Sequence, residues 1–474
     1  MKNDDPAVSG LLGEEEEHEQ EAAAILPLAR DIDSPIPALR GVRAQVAKLG
    51  PNGDAELGEG ADELGDKTVV VLADPEGMAP EPAMLSPAAF ALASLFNGRR
   101  SARQAAQALS EQVGQPISPD NVLELQRKLD EALFLYSEHF ERTVRLQLRS
   151  YLDRTVRPAA HAGSAYPADP ELLQQTVTEY FAGKGGPGVP WQAERAAPAQ
   201  GSAPPKTAAS DKVRSLILPH IDLRAGGATY AHGYAELLRN SQAELFIILG
   251  VAHQSDGSGL YYVSLKDFAT PLGPVKTARG IARRLQAAAG VEPVLAELAH
   301  RTEHSVEFQA VLLAATMAHC NREFEIVPVL CGSVETFLAE DATPLAAQSF
   351  KKFTEALRKE LEGAKRKWCV LCSVDLSHVG PEFGNSTMIT PRLLRPVERY
   401  DRKLLDIVAR LDLTGFYEEI QRTQNSRHVD AVMAVLTMLQ ACRGLLKGGR
   451  LLQYERLLKE GSHSAVSYAS MAFE

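Results

Sequence analysis

The stretch KWCVLCSVDLSH, residues 367–378, decides how the chain is interpreted. Its apolar run ends at Ser373 and gives way to Asp375, Ser377 and His378. The run alternates little between apolar and polar residues, which is typical of a strand buried on both faces. Ligands of open α/β sheets bind outside the carboxyl ends of the strands. A carboxylate and an imidazole at that end therefore indicate the wall of a site.

Two other apolar strands also run into a histidine. VRSLILPH ends in His220, and AELFIILGVAH ends in His253. A single histidine at a strand end is more often a surface or loop residue. If the three strands are parallel neighbours, however, their histidines and Asp375 converge on one crevice. Two neutral imidazoles with an oxygen or sulfur ligand suit iron(II), zinc or copper, and Asp375 and His378 would act as acid and base or orient the ligands.

The pattern around these strands predicts the fold class. Apolar strands, with FEIVPVLCG as a further one, alternate with amphipathic helical patterns such as ATYAHGYAELLRN and HSVEFQAVLLAATMAH. This alternation is typical of an α/β protein with a central, mostly parallel sheet flanked by helices.

Composition limits the classes of function. The chain has 474 residues and a net charge of -11, which disfavours nucleic acid as the main partner. It has no apolar run near the roughly 20 residues of a membrane span, and its start has no apolar signal core. Five cysteines, an odd number, do not suggest a disulfide framework. We expect a reduced, cytoplasmic protein that binds neither nucleic acid nor membrane.

The chain is predicted to have three parts. Residues 1–66 are rich in Glu, Ala, Gly and Pro, and are expected to form a disordered, acidic arm. Residues 67–150 form a small domain, and residues 156–474 a large one. A Pro/Ala/Gly-rich linker at residues 183–212 interrupts the large domain.

The small domain is expected to be winged-helix-like. A short strand, TVVVLA, precedes three helices that start at Ser86, Ser101 and Ser118. The acidic turn after the strand, the Leu-Ser helix start, NGRRSARQ and ALFLYSEHF together resemble the PqqD-like peptide-recognition domains. The resemblance implies that this domain binds a peptide or a partner protein.

The large domain resembles the Memo family, including the bacterial form called AmmeMemoRadiSam system protein B. The resemblance rests on an ordered set of motifs: RPAAHAGSAYPADPELL, LPHIDLRAGGATYAHGYAEL, IILGVAHQ, FATPLGPVKT, EHSVEFQ, IVPVLCG, SVDLSH and SAVSYASMAF. It implies a fold similar to the class III extradiol dioxygenases and a site for iron or copper, held by two histidines and a cysteine. It also implies radical SAM and AMMECR-type proteins as partners.

Matching the motifs assigns individual residues. The family histidine after Pro is His220, and the one that closes the LGxxH strand is His253. The Asp and His of DxSH are Asp375 and His378, and the EHSxE histidine is His304. The resemblance thus implies Asp375, His378 and His304 as catalytic residues.

The third metal ligand departs from the family pattern. Asn425 stands in TQNSRHVDAV where the family has cysteine, so the resemblance places Asn425 third after His220 and His253. Asn is a poor ligand for soft metals, and His428, Asp430 or His378 would be substitutes.

Two other functions stay open at this point. With an altered site, the chain would be a non-catalytic peptide- or partner-binding module rather than a metal-dependent oxidoreductase. More remotely, HRTEH at residues 300–304 matches the H-x-x-E-H of metallopeptidases. That match requires His300 and His304 to lie one turn apart on the same helix, with Glu303 as general base.

Overall fold

The computed structural model describes residues 24–49, 55–56, 68–74, 77–193, 211–255, 257–320, 322–459 and 461–474. The chain divides into two units, Met1–Ser150 and Tyr151–Glu474.

The first unit pairs an antiparallel sheet with four helices. The strands, in the spatial order β2-β1-β3-β4, are β1 (Arg43–Leu49), β2 (Ala55–Glu56), β3 (Thr68–Ala73) and β4 (Ala83–Leu85). The helices are α1 (Pro87–Ala93), α2 (Ala102–Val113), α3 (Pro119–Glu131) and α4 (Glu138–Asp153). As predicted, Ser86, Ser101 and Ser118 each accept a backbone N–H at a helix start. The winged-helix-like and PqqD-like assignments stay predictions.

The predicted acidic arm is wrong for residues 24–49. Ile36 is fully buried, and its backbone N–H donates to the carbonyl of Arg100. The last part of this segment is β1, which pairs with β3. Its apolar residues pack into a hydrophobic core, so the acidic composition of the residues upstream does not predict its structure. Residues 1–23, 50–54 and 57–66 of the predicted arm lie outside the described residues.

The second unit is built on the four predicted strands, with the short β10 added at one edge. They lie in the order β10-β11-β7-β12-β6, and all four neighbouring pairs are parallel. Their bounds are β6 (Ser215–Leu218), β7 (Leu245–Val251), β10 (Lys276–Thr277), β11 (Glu325–Cys331) and β12 (Trp368–Ser373). Strand β12, which lies within the stretch 367–378, is between the two strands that lead to His220 and His253.

The sheet is mixed, which corrects the prediction of a mostly parallel one. Four strands join it in antiparallel orientation, with β15 on β6, β13 and β14 on β15, and β8 on β11. They are β8 (Tyr261–Val263), β13 (His378–Val379), β14 (Gly449–Lys459) and β15 (Ser464–Phe473). A separate pair joins β5 (Val156–Arg157) to β9 (Asp267–Phe268). All ten residues of β15 are buried, and six of them are Ser or Ala, a composition with weak strand propensity.

Helices cover both faces of this sheet. Phe246 and Ile247, adjacent on β7, belong to the two opposite cores. The helices packed with Phe246 are α5 (Pro170–Ala182), α7 (Leu223–Asn240), α9 (Pro293–His300) and α10 (His304–Ala318). Those packed with Ile247 are α8 (Arg279–Ala289), α12 (Gln348–Gly363), α13 (Leu394–Ala409), α14 (Leu413–Arg422) and α15 (Val432–Ala441). Short helices are α6 (Pro190–Ala193) and α11 (Glu335–Ala339).

Two predictions about segments can be compared with these elements. The predicted linker at 183–212 contains α6, and its residues 194–210 lie outside the described ones. Within the described ranges, every helix is too short or too polar to span a bilayer.

Candidate metal centre

The strand order brings the predicted histidines to one edge of the sheet. Cys372 on β12 pairs with Ile217 on β6 and with Leu249 on β7, so the three chains leave the sheet side by side. His220 and His253 each follow two residues after their strand ends. The predicted convergence of these strand ends is therefore present.

His304, the first residue of α10, completes a group of three imidazoles. One ring nitrogen from each of His220, His253 and His304 lies within 4.8 Å of the others. The ring centroids are 4.9–5.1 Å apart. His220 is buried, whereas about a third of the His253 and His304 side chains is exposed. The group is therefore rigid on the sheet side and accessible on the other.

The hydrogen bonds of two of these rings fix which nitrogen faces the group. Nδ1 of His220 lies 3.0 Å from the carbonyl oxygen of Ser373, and Nδ1 of His253 lies 3.0 Å from Glu303 Oε1. A carbonyl and a carboxylate only accept, so both Nδ1 atoms carry the proton. In the neutral rings Nε2 then has a free lone pair, the tautomer that metal-binding histidines adopt.

Glu303 connects two of the imidazoles. Its Oε1 lies 3.0 Å from His253 Nδ1 and 3.2 Å from His304 Nδ1, and it also caps α10 by accepting from Ser305 N. Burial alone would raise the pKa of Glu303, but the charge and hydrogen bond of His253 outweigh it and hold that pKa well below its usual range. Glu303 is therefore a carboxylate that orients both rings.

Two aspartates face His220. The backbone N–H of Asp375 donates to Asp430 Oδ1 at 3.0 Å, and Asp375 Oδ1 accepts from His220 N at 3.1 Å. Asp430 Oδ2 lies 3.0 Å from His220 Nε2 and 3.9 Å from His253 Nε2. This oxygen is buried, and no contact to it in the described part of the chain has hydrogen-bond geometry.

The two aspartates determine the charge state of the imidazoles. Burial lowers the pKa of His220, but Asp430 and Asp375 outweigh it and raise that pKa to about 9. The pKa of His253 is raised to about 10, because Glu303 and Asp430 outweigh the effect of burial. Without a metal, protons on these rings compensate the carboxylates. A bound cation would replace those protons.

Asp375 and His378, predicted to be catalytic, lie beside the group. Nδ1 of His378 lies 3.1 Å from the carbonyl oxygens of Leu376 and His428, which leaves Nε2 on the side of Asp430, 3.9 Å from Oδ2. Their catalytic role stays a prediction, as does that of His304.

The structure does not bring Asn425 into the group, which corrects its assignment as third ligand. Its Nδ2 donates to Glu335 Oε1 at 2.8 Å and to the carbonyl of Val429 at 3.2 Å, and its Oδ1 accepts from Val429 N at 3.0 Å. The amide is therefore used to brace a turn. The third residue of the group that could hold a metal is His304.

The H-x-x-E-H stretch does not have the geometry of a metallopeptidase site. Helix α9 ends at His300 and α10 begins at His304, so the two histidines are not one turn apart on a single helix. His300 is fully buried, and its Nε2 lies 3.0 Å from the carbonyl oxygen of Tyr262.

The ion pair of Arg157 with Glu307, which the sequence does not indicate, supports the segment 300–304. The buried Arg157 guanidinium donates to the carbonyls of His300 and Glu303, at 2.6 and 2.8 Å, and pairs with the carboxylate of Glu307. Glu307 also accepts from Tyr166 Oη. The motif RPAAHAGSAYPADPELL contains both Arg157 and Tyr166, but nothing in it indicates which carboxylate they contact.

A cavity of about 270 Å³ adjoins the group. Its walls include His253, Glu335, Asn425, Asp430 and Met433. Of the three imidazoles, only that of His253 is among its lining residues.

Comparisons with known proteins cover this whole unit. A family model described as "Memo-like protein" matches residues 157–472. A "MEMO1 family protein" of Aquifex aeolicus is 27% identical over 410 residues, which are 86% of this chain and 96% of that protein. Proteins with the same family name from Methanobrevibacter smithii and Thermococcus kodakarensis are 29% and 24% identical, covering 55% and 67% of this chain and 82% and 99% of theirs.

Among the solved structures that match is that of an uncharacterized protein from Escherichia coli K12. It aligns with a TM-score of 0.31 and 10% identity, over 56% of this chain and 100% of that chain. This similarity is too weak to define the fold.

Proposed function

Because this chain belongs to the Memo family, we propose that it binds one transition-metal ion through His220, His253 and His304 and is a metal-dependent oxidoreductase. The observation that carries the proposal is the convergence of three imidazole nitrogens within 4.8 Å. The anchored Nδ1 protons of His220 and His253 support it, because they present Nε2 lone pairs to a common point.

Both the donor atoms of this group and the negative charge of Asp430 fit a metal cation. Asp430 Oδ2 is a buried oxygen without a hydrogen-bond partner in the described structure, beside two imidazole nitrogens. A buried carboxylate needs a compensating charge, which a divalent cation supplies. Imidazole donors suit iron, copper and zinc. When bound, iron or copper would supply redox chemistry at this edge of the sheet.

The chain's own groups would bind and orient a substrate and handle its protons. Burial raises the pKa of the Asp375 carboxyl, so it is able to hold a proton next to His220. His378 Nε2, with Nδ1 turned to backbone carbonyls, is a proton acceptor on the same side. The cavity beside His253 and Asp430 would hold the substrate while the buried wall at His220 excludes water.

We further propose that the chain works in the cytoplasm in an AmmeMemoRadiSam-type oxidative or radical modification system, with radical SAM and AMMECR-type partners. The PqqD-like unit would bind the peptide or protein to be modified. The Aquifex relative supports a joint role of both units, because its 410-residue match is longer than the second unit.

The alternative of a non-catalytic binding module rested on Asn425 at the position of the family cysteine. That argument weakens, because His304 supplies a third nitrogen without any ligand at residue 425.

The test is the metal content of the protein. Protein purified without oxygen should carry about one iron, copper or zinc ion per chain by mass spectrometry, and His220→Ala/His253→Ala should lose it. His232→Ala is the matched control, because His232 Nε2 lies 2.9 Å from the carbonyl oxygen of Gly185 and is not part of the group. Equal metal content in wild type and the double variant would rule out the site.

A further inference from the structure

We propose that Asp430 is a direct ligand of the metal, so that the donor set is three imidazoles and one carboxylate. This inference rests on the proposed metal site. The family pattern places a ligand at residue 425, but Asn425 is not in the group. We assign that role to Asp430, five residues later, on the turn between α14 and α15.

The carboxylate of Asp430 is held in one orientation. Oδ1 accepts the backbone N–H of Asp375 at 3.0 Å, which turns Oδ2 toward the imidazoles. Oδ2 then lies 3.0 Å from His220 Nε2, 3.9 Å from His253 Nε2 and 3.9 Å from His378 Nε2. Three nitrogens therefore surround one carboxylate oxygen.

The spacing is that of two ligands of one ion. Two donors that each lie about 2.1 Å from one metal ion would be about 3.0 Å apart at an octahedral angle and about 3.4 Å apart at a tetrahedral angle. Asp430 Oδ2 and His220 Nε2 have the first of these separations. In the metal-free protein the same separation fits an ion pair, with a proton on His220 Nε2 in the place that the cation would take.

The turn that carries Asp430 is built to hold it. Gln424, Asn425 and His428 have positive φ angles of 49°, 44° and 48°, a backbone conformation that non-glycine residues seldom adopt. The Asn425 amide braces this turn through Val429, the residue before Asp430. Asn tolerates the left-handed conformation better than most residues. Residue 425 therefore positions the ligand rather than being one.

The proposed donor set has a consequence for metal choice. Thiolate ligands favour copper(I), whereas imidazole with carboxylate suits iron(II), manganese(II) and zinc(II). The described group contains no cysteine. We therefore expect wild-type protein to prefer iron(II) to copper(I), and Asp430→Cys to shift that preference toward copper(I).

Cobalt(II) provides the direct test, because thiolate coordination gives it an intense sulfur-to-metal charge-transfer band in the near ultraviolet. The full chain is loaded with cobalt(II) as wild type, Asp430→Cys and Asn425→Cys. The band is expected in Asp430→Cys alone. Its absence there, or its presence in Asn425→Cys, would overturn the assignment of Asp430.

A second variant keeps the test decisive if Asp430→Cys does not fold. Asp430→Asn should bind cobalt(II) at least about tenfold more weakly than wild type in a chelator competition. Unchanged affinity in Asp430→Asn, with binding still lost in His220→Ala/His253→Ala, would refute the ligand role of Asp430 alone. No cobalt binding by wild type would refute the proposed function and this inference together.

Discussion

His220 donates its Nδ1 proton to the carbonyl oxygen of Ser373, 3.0 Å away, and this bond joins the metal centre to the sheet. Ser373 is itself held, since its hydroxyl bonds to the carbonyl of Ser305 and to Gln309 Nε2. The end of β12 and the start of α10 therefore set the orientation of the His220 ring, which follows β6. The account predicts that the centre depends on such supporting contacts as much as on the ligands.

Glu303→Gln should weaken metal binding about ten- to a hundredfold, because the amide loses the charge that holds His253 and His304. Chelator competition measures the change. Glu297→Gln is the control, a buried carboxylate that bonds to Ser264 and Leu265 instead. Equal losses in both variants would mean that Glu303 acts only through general stability.

Asp375→Asn removes an ionisable carboxyl that can hold a proton in the metal-free protein and carry a negative charge beside a bound cation. The amide oxygen of Asn can still accept from His220 N, so the turn should keep its geometry. Metal affinity should fall about tenfold or more, with little change in the unfolding temperature of the metal-free protein. Thermal unfolding with and without metal checks both expectations. An equal loss of stability in the two conditions would make Asp375 a structural residue only.

Arg157→Met should destabilise the second unit by about 3–5 kcal/mol, because it leaves the buried Glu307 carboxylate without its ion-pair partner. It should also weaken metal binding, since the carbonyls of His300 and Glu303 lose their donor. Denaturant unfolding and metal titration give the two values.

The control for Arg157→Met is Arg284→Met, at an ion pair with Glu360 in which Arg284 is 60% exposed. Exposed pairs contribute about 0–1 kcal/mol, so this variant should be nearly neutral. If the two variants cost the same, the buried pair has no special role.

His300→Gln should remove part of the acid sensitivity of the fold. Burial lowers the pKa of His300 from 6.5 to about 4. Below pH 6.5 the unfolded chain therefore binds a proton that the folded protein does not, so stability is retained above pH 6.5 and lost as the pH falls toward 4. Between pH 7 and pH 5 this amounts to about 2 kcal/mol.

The glutamine at residue 300 can still donate to the carbonyl of Tyr262 but does not titrate. Denaturant unfolding of both metal-free proteins at pH 7 and pH 5 gives the comparison, in which other titrating groups cancel. An identical loss of stability in wild type and variant would contradict a neutral, buried His300.

The sequence predicted the parallel strands β6, β7, β11 and β12 and the convergence of His220 and His253 at their ends. It could do so because buried strands and their polar ends are local patterns. The β14–β15 hairpin was missed, since the Ser- and Ala-rich β15 becomes a strand through its partners rather than its propensity. The sequence named His304 as catalytic and Asp430 as one of three substitute ligands, but their positions beside His220 depend on a helix start and a turn that only the tertiary fold brings there. Family position alone favoured Asn425, whose side chain turns to Glu335 and Val429.

The central claim is that one metal ion binds among His220, His253 and His304, and anomalous diffraction tests it most directly. Crystals of the full chain loaded with iron(II) or cobalt(II) should show one strong anomalous peak about 2.0–2.2 Å from the Nε2 atoms of His220 and His253 and from a ring nitrogen of His304. A peak elsewhere in the chain, or no peak in metal-loaded crystals, would contradict the account.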